Sequence, residues 1–279
     1  TVTFGGDNEV ALPVHYNHHV QAMIYRQIRQ PALRDFLHQH GFALGGRRFK
    51  LFTFSRLLGR PRLHRASRQL RFRLPIHLVI CSPVPVVLQE IANGLLREGR
   101  VWLAGACLEV REVKVRDNVV RSREIVVEML SPLVTYSTVP VGAGSYTYYY
   151  SPFEPRFREL VLANLAKKYL LVFGRPADED GFEIAPEKVD PGDLKVVDYK
   201  GTVVKGWMGR YRLAGDPQLL EMALSAGLGA KNSQGFGCCE LRGEERDAGG
   251  GGPARPPAGA AERGGGGGTD AGGAASARG

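Results

Sequence analysis

Cysteine is scarce in this chain. Among 279 residues only Cys81, Cys107, Cys238 and Cys239 occur, and none stands in a CxxC pair. In a strand, Cys238 and Cys239 point to opposite faces, so buried free thiols in a reducing compartment are the expectation. Long apolar runs are also missing: none approaches the roughly 18 residues of a membrane-spanning helix. The opening Thr1-Val2-Thr3-Phe4 does not read as a signal peptide. A soluble, cytoplasmic protein with no membrane partner is expected. Nucleotide fingerprints are absent as well. Lys231-Asn232-Ser233 is not the Gly-Lys-Ser/Thr that opens a helix in a phosphate loop, and the glycines around it follow a helix instead of joining strand to helix. Finally, no aromatic residue occurs from Asp247 to Gly279, a Gly- and Ala-rich stretch with nearly balanced charges. Such a segment cannot bury enough surface to offset its ordering entropy, so residues 246–279 are expected to form a disordered tail.

What the chain does have is positive charge and enough apolar residues for a core. The formal net charge is +9, and 43% of residues are hydrophobic. With the tail nearly neutral, the basic excess belongs to the body, and it favours a polyanionic partner, nucleic acid first.

The body reads as one pattern used twice. A strand at Thr1–Phe4 leads to a helical segment over Asn17–Gln39, strand-like runs at Phe49–Phe54 and Leu70–Ile80, a helix over Pro85–Arg97 and an alternating strand at Cys107–Val115. The second pass has a strand at Glu124–Leu130, a hairpin around Gly142–Ser145 and a helix from Glu154 to Val172 that Gly174 caps. Strands at Leu194–Tyr199 and Thr202–Leu213 follow, then a helix opened by Asp216-Pro217 and stopped at Gly227, and a last strand at Phe236–Leu241. The fold class is therefore α+β, two tandem ferredoxin-like β-α-β-β-α-β domains over residues 1–120 and 121–245.

Two features point to RNA contact. Gly227, Gly229, Gly235 and Gly237 surround Lys231, Asn232 and Ser233 between a helix end and the last strand. Glycines let backbone N–H groups approach a phosphate closely, and Lys231 adds positive charge there. Arg47 and Arg48 open one strand-like run, and Arg60, Arg62, His64, Arg65, Arg68 and Arg71 make the following connection strongly basic.

The histidines divide by helical phase. Leu33, Phe36 and Leu37 form an apolar face that His40 continues, which makes His40 a packing residue. His38 projects roughly 140° from Leu33 in the last turn, where the helix dipole favours an imidazolium. Lys50 shares a strand face with Phe52 and Phe54, so either it edges a core face or the aromatics line an exposed groove. A metal site built from His18, His19, His38 or His40 lacks a convincing carboxylate or cysteine partner, and no metal or other cofactor is expected.

The runs Tyr16-Asn17-His18-His19, Ile24-Tyr25, Phe36-Leu37-His38 and Phe49-Lys50-Leu51-Phe52-Thr53-Phe54-Ser55 resemble the N-terminal signature of the CRISPR-associated repeat-processing endoribonucleases. Gly229-x-x-Asn232-Ser233-x-Gly235-Phe236-Gly237 is similar to the glycine-rich loop of the same superfamily, and the resemblance covers roughly residues 1–242. It implies tandem ferredoxin-like domains and metal-independent cleavage of repeat RNA in long CRISPR transcripts, leaving a 5′-hydroxyl and a 2′,3′-cyclic phosphate. By motif position it implies a catalytic set of Tyr25, His38 and Lys50, although Gly45-Gly46 lengthens the segment between the last two. The implied partners are CRISPR repeat RNA, single-stranded or hairpin, and other proteins of a CRISPR effector complex; a homodimer is compatible with it. The alternative is a subunit that binds repeat RNA without cutting it.

Overall fold

The computed structural model describes residues 1–142 and 144–242, and the expected tail lies outside the described residues. The first half runs β1 (Val2–Gly5), β2 (Glu9–Pro13), α1 (Asn17–Gln27), α2 (Pro31–Asp35), a π-helical turn at Phe36–His40, β3 (Phe42–Leu44), β4 (Arg47–Phe49) and β5 (Thr53–Phe54). It continues with β6 (Pro61–His64), β7 (Gln69–Arg73), β8 (Ile76–Leu78), β9 (Ile80–Cys81), α3 (Pro85–Glu98), β10 (Arg100–Leu103) and β11 (Ala106–Val113). One antiparallel sheet has the order β10-β11-β1-β8, and β9, one residue beyond β8, pairs with β5. Strands β5, β8/β9 and β11 thus flank β1 in the fourth–first–third–second order of a ferredoxin-like sheet. Val20, Met23, Ile24 and Gln27 form the buried stripe of α1, while Val87, Ile91, Gly94 and Leu95 form that of α3. Gly94 sits directly against the Gln27 carbonyl, where any side chain would collide, so the two helices cross closely.

The second half runs β12 (Glu124–Met129), β13 (Tyr136–Val141), β14 (Gly144–Tyr149), α4 (Pro155–Phe173), β15 (Glu183–Lys188), β16 (Leu194–Tyr199), β17 (Thr202–Trp207), β18 (Arg210–Ala214), α5 (Pro217–Ala226) and β19 (Cys239–Arg242). Its antiparallel sheet has the order β15-β18-β12-β19, which is again ferredoxin-like. The expected helix ends are present. Asp216 accepts from the Leu219 amide at 3.1 Å, and Gly174 closes α4 in the left-handed conformation.

Several expectations need correction. The run 194–213 does not supply two sheet strands. β16 and β17 form a separate hairpin, and the sheet takes β15 and β18 instead. Gly209 divides the run: at φ +97° its backbone lies against the Lys188 carbonyl, 2.6 Å from where a Cβ would sit. The run 70–80 is three strands, because Pro75 has no N–H to extend a ladder; β7 pairs with β2 before it, and β8 with β1 after it. The run 49–54 also breaks, at Leu51, which has φ +50°. Leu51 through Ser55 are all buried, so alternation fails there because both sides of the chain are covered. Phe52 and Phe54 are core residues, which resolves the choice for Lys50 in favour of the edge of a core face. Cys107 is exposed, not buried: opposite Trp102 in the β10/β11 register, it points outward, whereas Leu108 points in. His40 is exposed as well. An i→i+5 bond from the Gly41 amide to the Phe36 carbonyl widens the turn and shifts His40 out of the stripe that a regular helix would give it.

Candidate functional site

Tyr25, His38 and Lys50 come together on the first half. The Tyr25 ring meets the His38 ring edge-on, with centroids 5.4 Å apart, and its hydroxyl reaches the Leu37 carbonyl at 3.4 Å. Phe52 backs Tyr25 from the core, again edge-on at 5.7 Å. The Lys50 ammonium donates to the His38 carbonyl at 3.0 Å. Two local features make this possible. Gly41, at φ +65°, ends the π-helical turn where a Cβ would strike the Phe49 carbonyl and the Lys50 stem. Gly45 and Gly46 then turn β3 back into β4, which returns the chain to His38. The His38 side chain is exposed, Lys50 and Tyr25 are half-buried, and all three could meet one ligand.

Burial sets the electrostatics here. It pushes the Tyr25 phenol well above its usual range, with a smaller contribution from Tyr199, so this hydroxyl keeps its proton. Burial also lowers the Lys50 ammonium, and the Arg48 guanidinium adds to the effect.

The glycine-rich loop lies in the second half but packs against the first. The Asn17 side chain donates to the carbonyls of Gln234 and Gly235, Gln21 donates to that of Ser233, and Thr53 donates to that of Phe236. Asn232 closes the loop on itself by donating to the Leu228 and Phe236 carbonyls at 3.0 and 3.1 Å. Gly227, Gly229, Gly235 and Gly237 are all buried with positive φ, and a Cβ at any of them would collide with neighbouring protein atoms. Their conformations are therefore consumed by close packing of the loop, and its outward side is Lys231–Gln234. Lys231 lies over the Tyr136 ring, 5.2 Å from its centroid, and burial lowers its ammonium.

Between these parts runs a cleft of about 670 Å³. Arg47, Arg48 and Lys50 line one wall, Lys231, Asn232 and Ser233 the other, and α4 the floor. Tyr25 and His38 stand beside this lining rather than in it, joined to it through Lys50. The structure does not bring the basic connection to the same place. Arg60 and Arg62 line a separate groove of about 690 Å³ with Arg71, Arg73 and Glu9, and Arg65 is exposed at the tip of the β6/β7 hairpin. Among the described residues, no three His, Cys, Asp or Glu side chains converge as a metal site, and no helix is long and apolar enough to cross a membrane.

Sequence reasoning missed Lys168 and Asn164 on α4. Lys168 is fully buried on the cleft floor, where it donates to the Gly227 and Gly229 carbonyls at 2.6 and 3.1 Å, and burial lowers its ammonium to about 7. A usable signal was present: Phe157, Val161, Leu165 and Tyr169 mark the buried face of α4, and Asn164 and Lys168 lie within the same stripe.

Two family models match consecutive parts of the chain. The one described as CRISPR-associated protein Cas6, N-terminal, matches residues 11–114, and the one described as CRISPR associated protein Cas6, C-terminal, matches residues 113–241. The CRISPR-associated endoribonuclease Cas6 of Pyrococcus furiosus is 28% identical over 251 residues, covering 86% of this chain and 88% of its own. The CRISPR-associated endoribonuclease Cas6 1 of Methanocaldococcus jannaschii is 26% identical over 238 residues, covering 83% and 87%. The solved structure of a Cas6-related protein from Pyrococcus furiosus superposes with a TM-score of 0.74 at 18% identity, over 87% of this chain and 98% of its own, which shows the shared fold. The chain belongs to the CRISPR-associated Cas6 family.

Proposed function

We propose that this chain is an endoribonuclease that cuts the repeat RNA of CRISPR transcripts, with Tyr25, His38 and Lys50 as its catalytic residues. The observation that carries the assignment is the exposed His38 ring in contact with Tyr25 while Lys50 is tied to its backbone. As a ribose 2′-OH attacks the adjacent phosphorus, its proton passes to water at the solvent-exposed rim, the 2′,3′-cyclic phosphate forms and the bond to the 5′-oxygen breaks. His38, whose ring is exposed to a ligand, gives that oxygen its proton as general acid. Tyr25, which holds its own proton, orients the reacting ribose by hydrogen bonding. Lys50 faces the charge that grows on the phosphorane, the part a metal plays elsewhere. DNA lacks the attacking hydroxyl, so selectivity for RNA is inherent in the reaction.

RNA is held by the cleft, with Arg47, Arg48 and Lys231 on its phosphates and the Asn232-Ser233 turn beside them; the groove of Arg60 and Arg62 and the hairpin tip at Arg65 take flanking nucleotides. Residues 1–120 carry the catalytic set and residues 121–245 the glycine-rich loop, as two domains. Incubating the protein with its own repeat RNA in EDTA, then mapping product ends, tests this. Products ending in a cyclic phosphate that disappear with His38→Ala support it. A stable shift without cleavage makes the chain a repeat-binding subunit.

A further inference from the structure

Helix α4 presents Arg156, Leu160, Asn164 and Lys168 to the cleft, four residues spaced four apart along one winding face. Two of them carry polar atoms that the fold does not fully use. The Asn164 side-chain carbonyl is buried and has no hydrogen-bond partner, in a residue only 9% exposed. An unpaired buried acceptor destabilises the fold, so its retention beside an open cleft points to a ligand that supplies the missing donor. One turn further on, Lys168 spends two donor positions on the Gly227 and Gly229 carbonyls, and its charged form, present at and below about pH 7, has a third.

The surroundings define the chemistry of that ligand. Leu160 and the half-buried Phe49 supply apolar walls, and Arg156, Arg47 and Lys231 stand around them as cations. A cleft of about 670 Å³ has room for one nucleotide with its phosphates. A flat ring with an N–H donor next to a lone-pair acceptor would satisfy the Asn164 carbonyl and the remaining Lys168 proton together, while the cations take the flanking phosphates. A backbone phosphodiester cannot do this, because it has no donor for the Asn164 carbonyl.

We infer that the α4 floor of the cleft is a base-reading subsite, in which Asn164 and Lys168 hydrogen-bond the edge of one unstacked nucleobase of the bound RNA. The inference rests on the proposed function and adds to it a specificity-determining pair outside the catalytic set. Lys168 also holds the glycine-rich loop, so its removal would confound folding with recognition. Asn164→Leu is the cleaner variant, because it deletes a carbonyl that has no partner within the protein.

The test is single-turnover cleavage of the chain's own repeat RNA, and of a series of copies with one abasic nucleotide at each position in turn. Parent and Asn164→Leu are compared by thermal unfolding, by half-saturating protein concentration and by the rate at saturation. The expected result is an unfolding temperature at or above the parent's, about a tenfold rise in half-saturating concentration on intact repeat, and little change in the saturated rate. At one position, the abasic copy should bring parent and variant to the same value. Equal half-saturation on intact RNA, or a defect that persists at every abasic position, overturns the base-reading role while leaving the nuclease reading intact. A parent that neither binds nor cuts the repeat overturns both.

Discussion

The catalytic set and the glycine-rich loop are held in opposite ways. Tyr25, His38 and Lys50 sit at a rim, where the polar contacts joining them run from the Tyr25 hydroxyl and the Lys50 ammonium to backbone carbonyls of the π-helical turn. The loop is fixed by Asn17, Gln21, Thr53, Lys168 and its own Asn232, and its four glycines are packed without room for a methyl group. The rim can exchange protons with a ligand because solvent reaches it. The loop can hold RNA in register because little in it can move. Substitutions at the rim should therefore damage chemistry and spare stability, and substitutions in the loop should do the reverse.

The largest effect expected at the rim is that of His38→Ala. Removing a general acid should slow single-turnover cleavage by about 10²–10⁴-fold. Because the ring is exposed, urea unfolding should stay within about 0.5 kcal/mol of the parent. Lys50→Met follows, with a loss on the order of 10²-fold at saturating RNA as charge stabilisation disappears. A Lys50→Met protein with parental rate would move the phosphorane contact to another cation of the cleft, with Arg48 the first to examine.

On the loop side, Gly237→Ala should show the opposite profile. At φ +73° its new methyl would drive into the Leu228 carbonyl oxygen, so a loss of about 1–3 kcal/mol in urea unfolding is expected. Asn232→Ala should cost somewhat less, about 1–2 kcal/mol, because the Leu228 carbonyl loses this donor while the Phe236 carbonyl keeps the Thr53 hydroxyl. Either variant should retain the rate at saturating RNA better than its affinity. If Asn232→Ala instead removes the saturated rate with stability intact, the loop belongs to the chemistry, and the division drawn here fails.

The sequence disclosed the repeated helices because their ends are chemically marked: Pro85 opens one, Asp216-Pro217 another, and Gly174 closes a third. It hid β15, in which Ile184 is the single buried side chain among Glu183, Glu187, Lys188 and a proline; such an edge strand has no alternation to read. The contact of Tyr25 with His38 depends on a widened helical turn and on a glycine hairpin, and neither has a periodic signature. The same widened turn exposes His40 despite its place in the apolar phase. Lys168 was hidden for a different reason. A lysine in a core stripe reads as an interruption, and the carbonyls that accept its protons belong to a loop 59 and 61 residues away.

Lys168 is also where the subtlest difference between the two regions should appear, in the pH dependence of stability. Its ordinary value is 10.5, and burial lowers it to about 7 in the fold. Between those values the unfolded chain holds a proton that the folded chain has released, so lowering the pH favours unfolding. Stability should therefore rise with pH from about 7 to 10.5 through this group, with a slope of at most about 1.4 kcal/mol per pH unit. The contribution is complete above the unfolded value and lost as pH falls through the folded one. Urea unfolding at several pH values should show the slope in the parent and a flatter line in Lys168→Met. His38→Ala should keep the parental slope, since it leaves Lys168 and its carbonyl partners in place. Equal slopes in parent and Lys168→Met would mean that the ammonium stays charged beneath the loop, held by the Gly227 and Gly229 carbonyls.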